Sequence, residues 1–175
     1  MLRILTAYVG NHQSLLAKLY DAGLKLYPIE LKNRCTSDTC HRITLMYAPL
    51  YEHANLNEET HDALHEMFGV ANMRAFMHLA RLANTGHLVD FEGNNIYLPH
   101  LDRLAIPITF IHGANNECFL RESTEVTLRD LAAANGISLY RRHVILDYRH
   151  IDCISGKNAV NDVYPFIVEH LDATQ

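Results

Sequence analysis

Two loops of this chain carry side chains that could act on one another chemically. The first, Asn115-Asn116-Glu117, follows the short apolar run 107–112 (Pro-Ile-Thr-Phe-Ile-His). The second holds His150 and follows the run 140–146. Between the runs lies a segment long enough for the crossover that parallel strands require. Loops at the carboxyl ends of such strands are where α/β sheets place reactive groups. An acid-type loop followed by a histidine loop is the order of the last two members of a serine–acid–histidine constellation. There the histidine takes the serine proton and the acid fixes its tautomer. His150 is therefore the candidate base, with Asn116 or Glu117 as the orienting group. Asn116 stands three residues after Gly113, where an aspartate is usual; an amide can orient an imidazole but supplies no negative charge. The competing readings are a turn built from αL-tolerant asparagines and a surface-loop histidine. No Gly-x-Ser-x-Gly occurs upstream, so the nucleophile is absent from these residues.

Metal-type groupings are also present, because the chain has 12 histidines and four cysteines. His61 and His65 stand at i and i+4, one face of a helix, and could share a metal. The glutamate of a zincin His-Glu-x-x-His is not in its place, so a solvated helix face is expected. Cys35, Cys40 and His41 form only one half of a structural zinc pattern, with no second Cys-x-x-Cys. No metal site is expected on this reading. Gly156-Lys157 lacks the glycine that opens a phosphate-binding loop, and no Gly-x-Gly-x-x-Gly occurs, so no nucleotide cofactor is expected in this chain.

The elements that must position these groups can be read from periodicity and caps. A helix is predicted over 13–26, ended by Tyr27-Pro28. A short helix is predicted in the segment from Cys40 to His53, closed by Pro49. Asn57 caps a helix at 58–68 with Gly69 as its stop, and Asn72 caps another at 73–84 with Gly86 just beyond. The latter carries a broad apolar stripe of Met73, Phe76, Met77, Leu79, Ala80 and Leu82. The region 87–106 reads as loop. Ser123 is the predicted cap of a helix at 124–134, stopped at Asn135-Gly136, and a last helix is predicted from Asn158 to Leu171. The order is helical to residue 100, then strand–helix–strand–helix. Residues 1–100 thus read as a helical lid-like region and 101–175 as the end of an α/β sheet, together one incomplete domain. Strand 107–112 is expected to leave an open edge, which favours self-association.

A length of 175 residues, 49% apolar content and 20% charged content suit one globular domain. A net charge of −5 without a basic block argues against nucleic-acid binding. No apolar run approaches the roughly 20 residues of a bilayer span. The amino terminus is too weakly apolar for a signal peptide, and four cysteines suit reduced thiols; a cytoplasmic location is expected.

Three long segments carry a family resemblance: CHRITLMYAPLYEH, LPHLDRLAIPITFIHGANNECFLRESTE and RHVILDYRHIDCISGKNAVNDVYPFIVEHL. They resemble the C-terminal α/β-hydrolase region of cholesterol-oxidase-like fusion proteins, in which an FAD-dependent GMC oxidoreductase precedes a hydrolase-like part. The resemblance runs from about Leu16 to Leu171. It implies an α/β-hydrolase fold, with His150 at the family histidine and the loop Asn115–Glu117 at its acid. It implies ester or acyl hydrolysis as the ancestral reaction. FAD belongs to the full-length family and to no residue here. An N-terminal hydrolase or oxidoreductase partner, or self-association, would complete the fold; a non-catalytic interaction subunit and a part of a steroid oxidase are the alternatives. Before the histidine the family reads Pro-Gly-Tyr-Gly-His, where this chain has Leu146-Asp147-Tyr148-Arg149-His150. If Asp147 and Arg149 take over positions needing positive φ, each costs about 1 kcal/mol or more. The expectation is a hydrolase segment without complete catalytic machinery, inactive alone.

Overall fold

A computed structural model of the chain describes residues 15–25, 35–68 and 72–174. Helix α1 (Leu15–Leu24) is followed by α2 (Asp38–Tyr47), a 3-10 turn at His53–Asn55, α3 (Glu58–Met67) and α4 (Met73–Thr85). A second 3-10 stretch, Leu98–Leu104, leads into β1 (Ile108–Gly113), α5 (Arg121–Asn135) and β2 (Tyr140–Ile145). Short helices α6 (Asp152–Ser155) and α7 (Ala159–Asp162) precede α8 (Tyr164–Ala173). The architecture is mixed α/β, mostly helical. No described helix is long and apolar enough to cross a membrane.

Local chemistry explains most boundaries. Asn57 and Asn72 cap α3 and α4 through their side-chain oxygens, which accept from Thr60 N and Arg74 N. Gly86 ends α4 in the left-handed conformation, at φ 70°, which costs glycine little. The predicted stops at Tyr27-Pro28 and Gly69 lie outside the described residues. Ser123 is not a cap. Helix α5 begins at Arg121, and its first turn is held from the sheet, where Arg142 donates to the Arg121 carbonyl and to Thr124 Oγ1. The single helix expected over 158–171 is broken at Val163, and α8 starts with Pro165 in its first turn, where the missing N–H is harmless. The apolar stripe of α4 is not a core stripe: Met77 is 60% and Leu79 46% exposed, and no residue of this helix is buried.

Strands β1 and β2 pair in parallel, with Ile108 opposite Tyr140 and Gly113 opposite Ile145, and α5 is the crossover between them. Period-two alternation assigns the two sheet faces. On one, Thr109 meets His170, His143 stacks on Phe166 at 3.9 Å, and Arg141 pairs with Glu169, so this face carries α8. Ile111 and Ile145 of the same face join Tyr148, Ala159 and Val163 in one apolar cluster. The opposite face carries α5 through Arg142, and Tyr140 accepts from Asn135 Nδ2 while donating to the Leu104 carbonyl. Among the described residues the sheet has these two strands, so each has an outer edge with no strand beside it.

The helical first half forms a second core of Cys40, Ile43, Leu50, Tyr51, Leu56 and Leu64, against which Cys118 and Ile151 of the second half pack. Ile43 and Leu64 have no exposed surface, and such side chains contribute about 1.5–3 kcal/mol each. A buried two-toothed ion pair ties α2 to α1: Arg42 Nε and Nη2 donate to the two oxygens of Asp21 at 2.6 and 2.5 Å.

Candidate functional site

The parallel register carries the ends of β1 and β2 to the same edge of the sheet, and the two chemically promising loops with them. Ala114 N donates to the Ile145 carbonyl and Asn115 N to the Tyr148 carbonyl, which locks loop to loop. Gly113 makes this approach possible, since a Cβ there would stand 2.5 Å from the Arg149 carbonyl oxygen. Asn116 is buried, and its Nδ2 lies 3.2 Å from His150 Nδ1. The Asn116 oxygen is spoken for: the backbone N–H groups of Cys118 and Phe119 both donate to it at 3.0 Å. Backbone amides can only donate, so the atom facing His150 is the NH2 nitrogen. It follows that His150 Nδ1 accepts, and the neutral ring carries its proton on Nε2.

This is the reverse of a working relay. There the acid accepts Nδ1–H and leaves Nε2 free to take a proton. Here the free nitrogen is already protonated, and ionising the ring would set N–H against NH2. Burial further lowers the His150 pKa from its ordinary value. The Phe119 ring leans on the imidazole at 5.2 Å, and buried His112 donates from Nε2 to the Phe119 carbonyl at 3.0 Å, which steadies that wall.

Glu117, the other acid candidate, does not reach His150. It is half out in solvent and accepts from Arg149 Nη1 at 2.6 Å, while Arg149 Nε donates to Glu52 at 2.7 Å. Arg149 is 2% exposed. Burial alone would lower its pKa, but the hydrogen bonds to Glu117 and Glu52 outweigh this and hold it above the ordinary value. Arg149 is thus the centre of a charge clamp between the two halves of the chain. Of Asp147 and Arg149, it is Asp147 that takes positive φ, at 61°. Asp152 extends the clamp. With no exposed surface, its Oδ2 accepts from Glu52 N at 3.1 Å, Asn55 Nδ2 at 3.1 Å and Arg149 N at 2.8 Å. Burial raises its pKa, against the pull of these donors.

A second grouping lies in the first-half core. Cys35, Cys40, His53 and His61 bring four donor atoms within 4.8 Å of one another, with Cys40 buried and the others half-buried. Ser37 caps α2 and sets Cys40 in its first turn; Asn57 caps α3 and sets His61 in its own. Cys40 Sγ is 3.2 Å from His61 Nε2. The hydrogen bond from the Cys35 thiol draws the Cys40 pKa down to about 3 although burial opposes it, and His53 and Tyr51 add to the pull. The same shared proton pushes Cys35 upward. These four residues could hold a metal ion.

The sequence reading set Cys35 and Cys40 beside His41, and His61 beside His65, and expected no metal at either. His41 Nε2 instead bonds the Cys35 carbonyl, and His65, exposed, bonds the Asp62 carbonyl through Nδ1. The overlooked signal was the spacing of Cys35, Cys40, His53 and His61, with intervals of four, twelve and seven residues. The first two intervals match Cys2His2 zinc patterns.

Comparison with protein-family models, with curated proteins and with solved structures gives no match.

Proposed function

We propose that this chain is the C-terminal segment of an α/β-hydrolase-type domain, related to that of cholesterol-oxidase-like GMC fusion proteins, in which the ancestral acyl-hydrolysis site no longer works as a base relay. The observation that carries this reading is the Asn116–His150 contact at 3.2 Å, on the shared edge of two parallel strands. The placement is that of an acid and a histidine; the chemistry is not. An amide donor at Nδ1 fixes the tautomer that cannot take a proton at Nε2, and in a serine relay the equivalent amide costs about four orders of magnitude in turnover. Glu117 cannot substitute while Arg149 holds it. The open edges of the β1–β2 pair suit a neighbouring strand, from a partner segment or from a second copy.

The test is esterase activity. The purified chain should hydrolyse short p-nitrophenyl esters no faster than its His150→Ala variant, and a fluorophosphonate probe should not label it. Turnover that disappears in His150→Ala would overturn the reading and restore His150 as a working base.

A further inference from the structure

We infer that Cys35, Cys40, His53 and His61 form a structural zinc site that staples the helical half of the chain and holds the segment on which the His150 loop rests.

The donor set selects the ion. Two thiolates and two imidazoles suit tetrahedral zinc, and hard cations such as magnesium or calcium prefer oxygen. In a zinc tetrahedron with bonds of about 2.0–2.3 Å, neighbouring donors stand roughly 3.3–3.8 Å apart. The four donors here lie within 4.8 Å of one another, and the Cys40 Sγ to His61 Nε2 separation is already 3.2 Å. Side-chain adjustments of about 1 Å close the tetrahedron.

The surroundings are those of a ligating cluster. His61 turns Nε2 to the sulfur while its Nδ1 faces the Asp62 carboxylate at 3.5 Å. A carboxylate on the far nitrogen is the usual partner of a metal-bound histidine, because it fixes the ring and raises its basicity. The His53 ring is set against Tyr51 at 5.3 Å and against His61 at 5.3 Å, which orients both imidazoles toward the sulfurs. Four protein donors leave no open position, so the ion is structural and not catalytic.

The staple has a definite load. The segment between Cys40 and His61 includes Leu50, Tyr51 and Leu56 of the first-half core. It also carries the backbone and polar contacts, among the described residues, that seat the His150 loop and the turn after it from this side. Ile151 N donates to the Leu50 carbonyl at 3.0 Å, Lys157 N to the Asn55 carbonyl at 2.7 Å, and Glu52 and Asn55 bind Asp152 and Arg149. Fixing Cys40, His53 and His61 to one ion orders the chain on either side of these contacts.

The experiment uses the full chain, purified under reducing conditions without chelators. Elemental analysis should find one zinc per chain, and cobalt(II) in its place should give the visible d–d bands of a tetrahedral site together with thiolate-to-cobalt charge transfer. Cys40→Ser and His61→Ala should lose the bound equivalent, whereas His65→Ala and Cys153→Ser should keep it. Should the ligand variants not fold, cobalt titration of the unaltered chain still decides. Substoichiometric zinc with no tetrahedral cobalt spectrum would overturn the inference. So would a Cys35–Cys40 disulfide formed in the presence of zinc, or full zinc retention in both ligand variants.

Discussion

Replacing Asn116 by Asp should reverse the direction in which His150 responds to pH. In the native chain the Asn116 oxygen accepts two backbone N–H groups and its nitrogen faces His150 Nδ1 at 3.2 Å. Protonating the ring sets two donors against each other, and burial disfavours the charge. The folded pKa is therefore below the unfolded one. By linkage, His150 supports stability above the unfolded pKa of about 6.5 and withdraws that support as pH falls. An aspartate would keep one oxygen on Cys118 N and Phe119 N and turn the other to His150. Nδ1–H would then donate to a carboxylate, and the folded pKa would rise above the unfolded one. Its stabilisation would be complete below about pH 6.5 and lost as pH rises through the folded value. An opposite charge this close, at a half-buried ring, separates the two protonation states by on the order of 1.4–4 kcal/mol. For a chain of this size each kcal/mol moves the thermal midpoint by about 2–4 °C. Histidine ring-proton NMR, with His150 assigned through His150→Gln, gives the titration; thermal midpoints at pH 5.5 and 8 give the linkage. The other histidines cancel in the difference between native and variant proteins. The variant should gain stability relative to the native chain at the lower pH. If His150 titrates at the same pH or lower in Asn116→Asp, the hydrogen-bond assignment at Asn116 is wrong.

Asp152→Ala should cost on the order of 3–5 kcal/mol in urea denaturation, because it leaves the Glu52 and Arg149 amides and the Asn55 side chain without their shared acceptor. Asp152→Asn, which can keep one oxygen there, should cost much less, and equal losses for the two would refute the acceptor argument. Ala48 sits at φ 66° and ψ −179°, a region almost exclusive to glycine. Ala48→Gly should therefore stabilise the chain by about 1 kcal/mol or more, read as a raised urea midpoint at unchanged slope; a lowered midpoint would remove strain as the explanation.

The sequence by itself determined the elements whose signals are local. Asn57, Asn72 and Gly86 act as predicted because a cap needs only its own backbone neighbours. The strand–helix–strand order was also enough to bring the loops of Asn116 and His150 to one edge, since a helical crossover makes the strands parallel. Pro165 was a local signal for the break in the last helix, overlooked beneath an apolar pattern. What remained depended on groups distant in sequence. Whether Asn116 offers His150 its oxygen or its nitrogen is set by two amides after it in the loop, not by residue type. Arg149 read only as a departure from the glycine that the resemblance implies, and its partners Glu52 and Glu117 are set by the fold. The exposure of the α4 stripe, too, depends on which elements pack beside it and cannot be read from its periodicity. Cys40 acquired His53 and His61 in place of neighbouring His41 because the packing of α2 against the 3-10 turn and α3, around Ile43, Leu56 and Leu64, decides which imidazoles meet the sulfur. Periodicity and capping act over a few residues; the polar partners of a buried side chain are chosen by the tertiary contacts that exclude water around it.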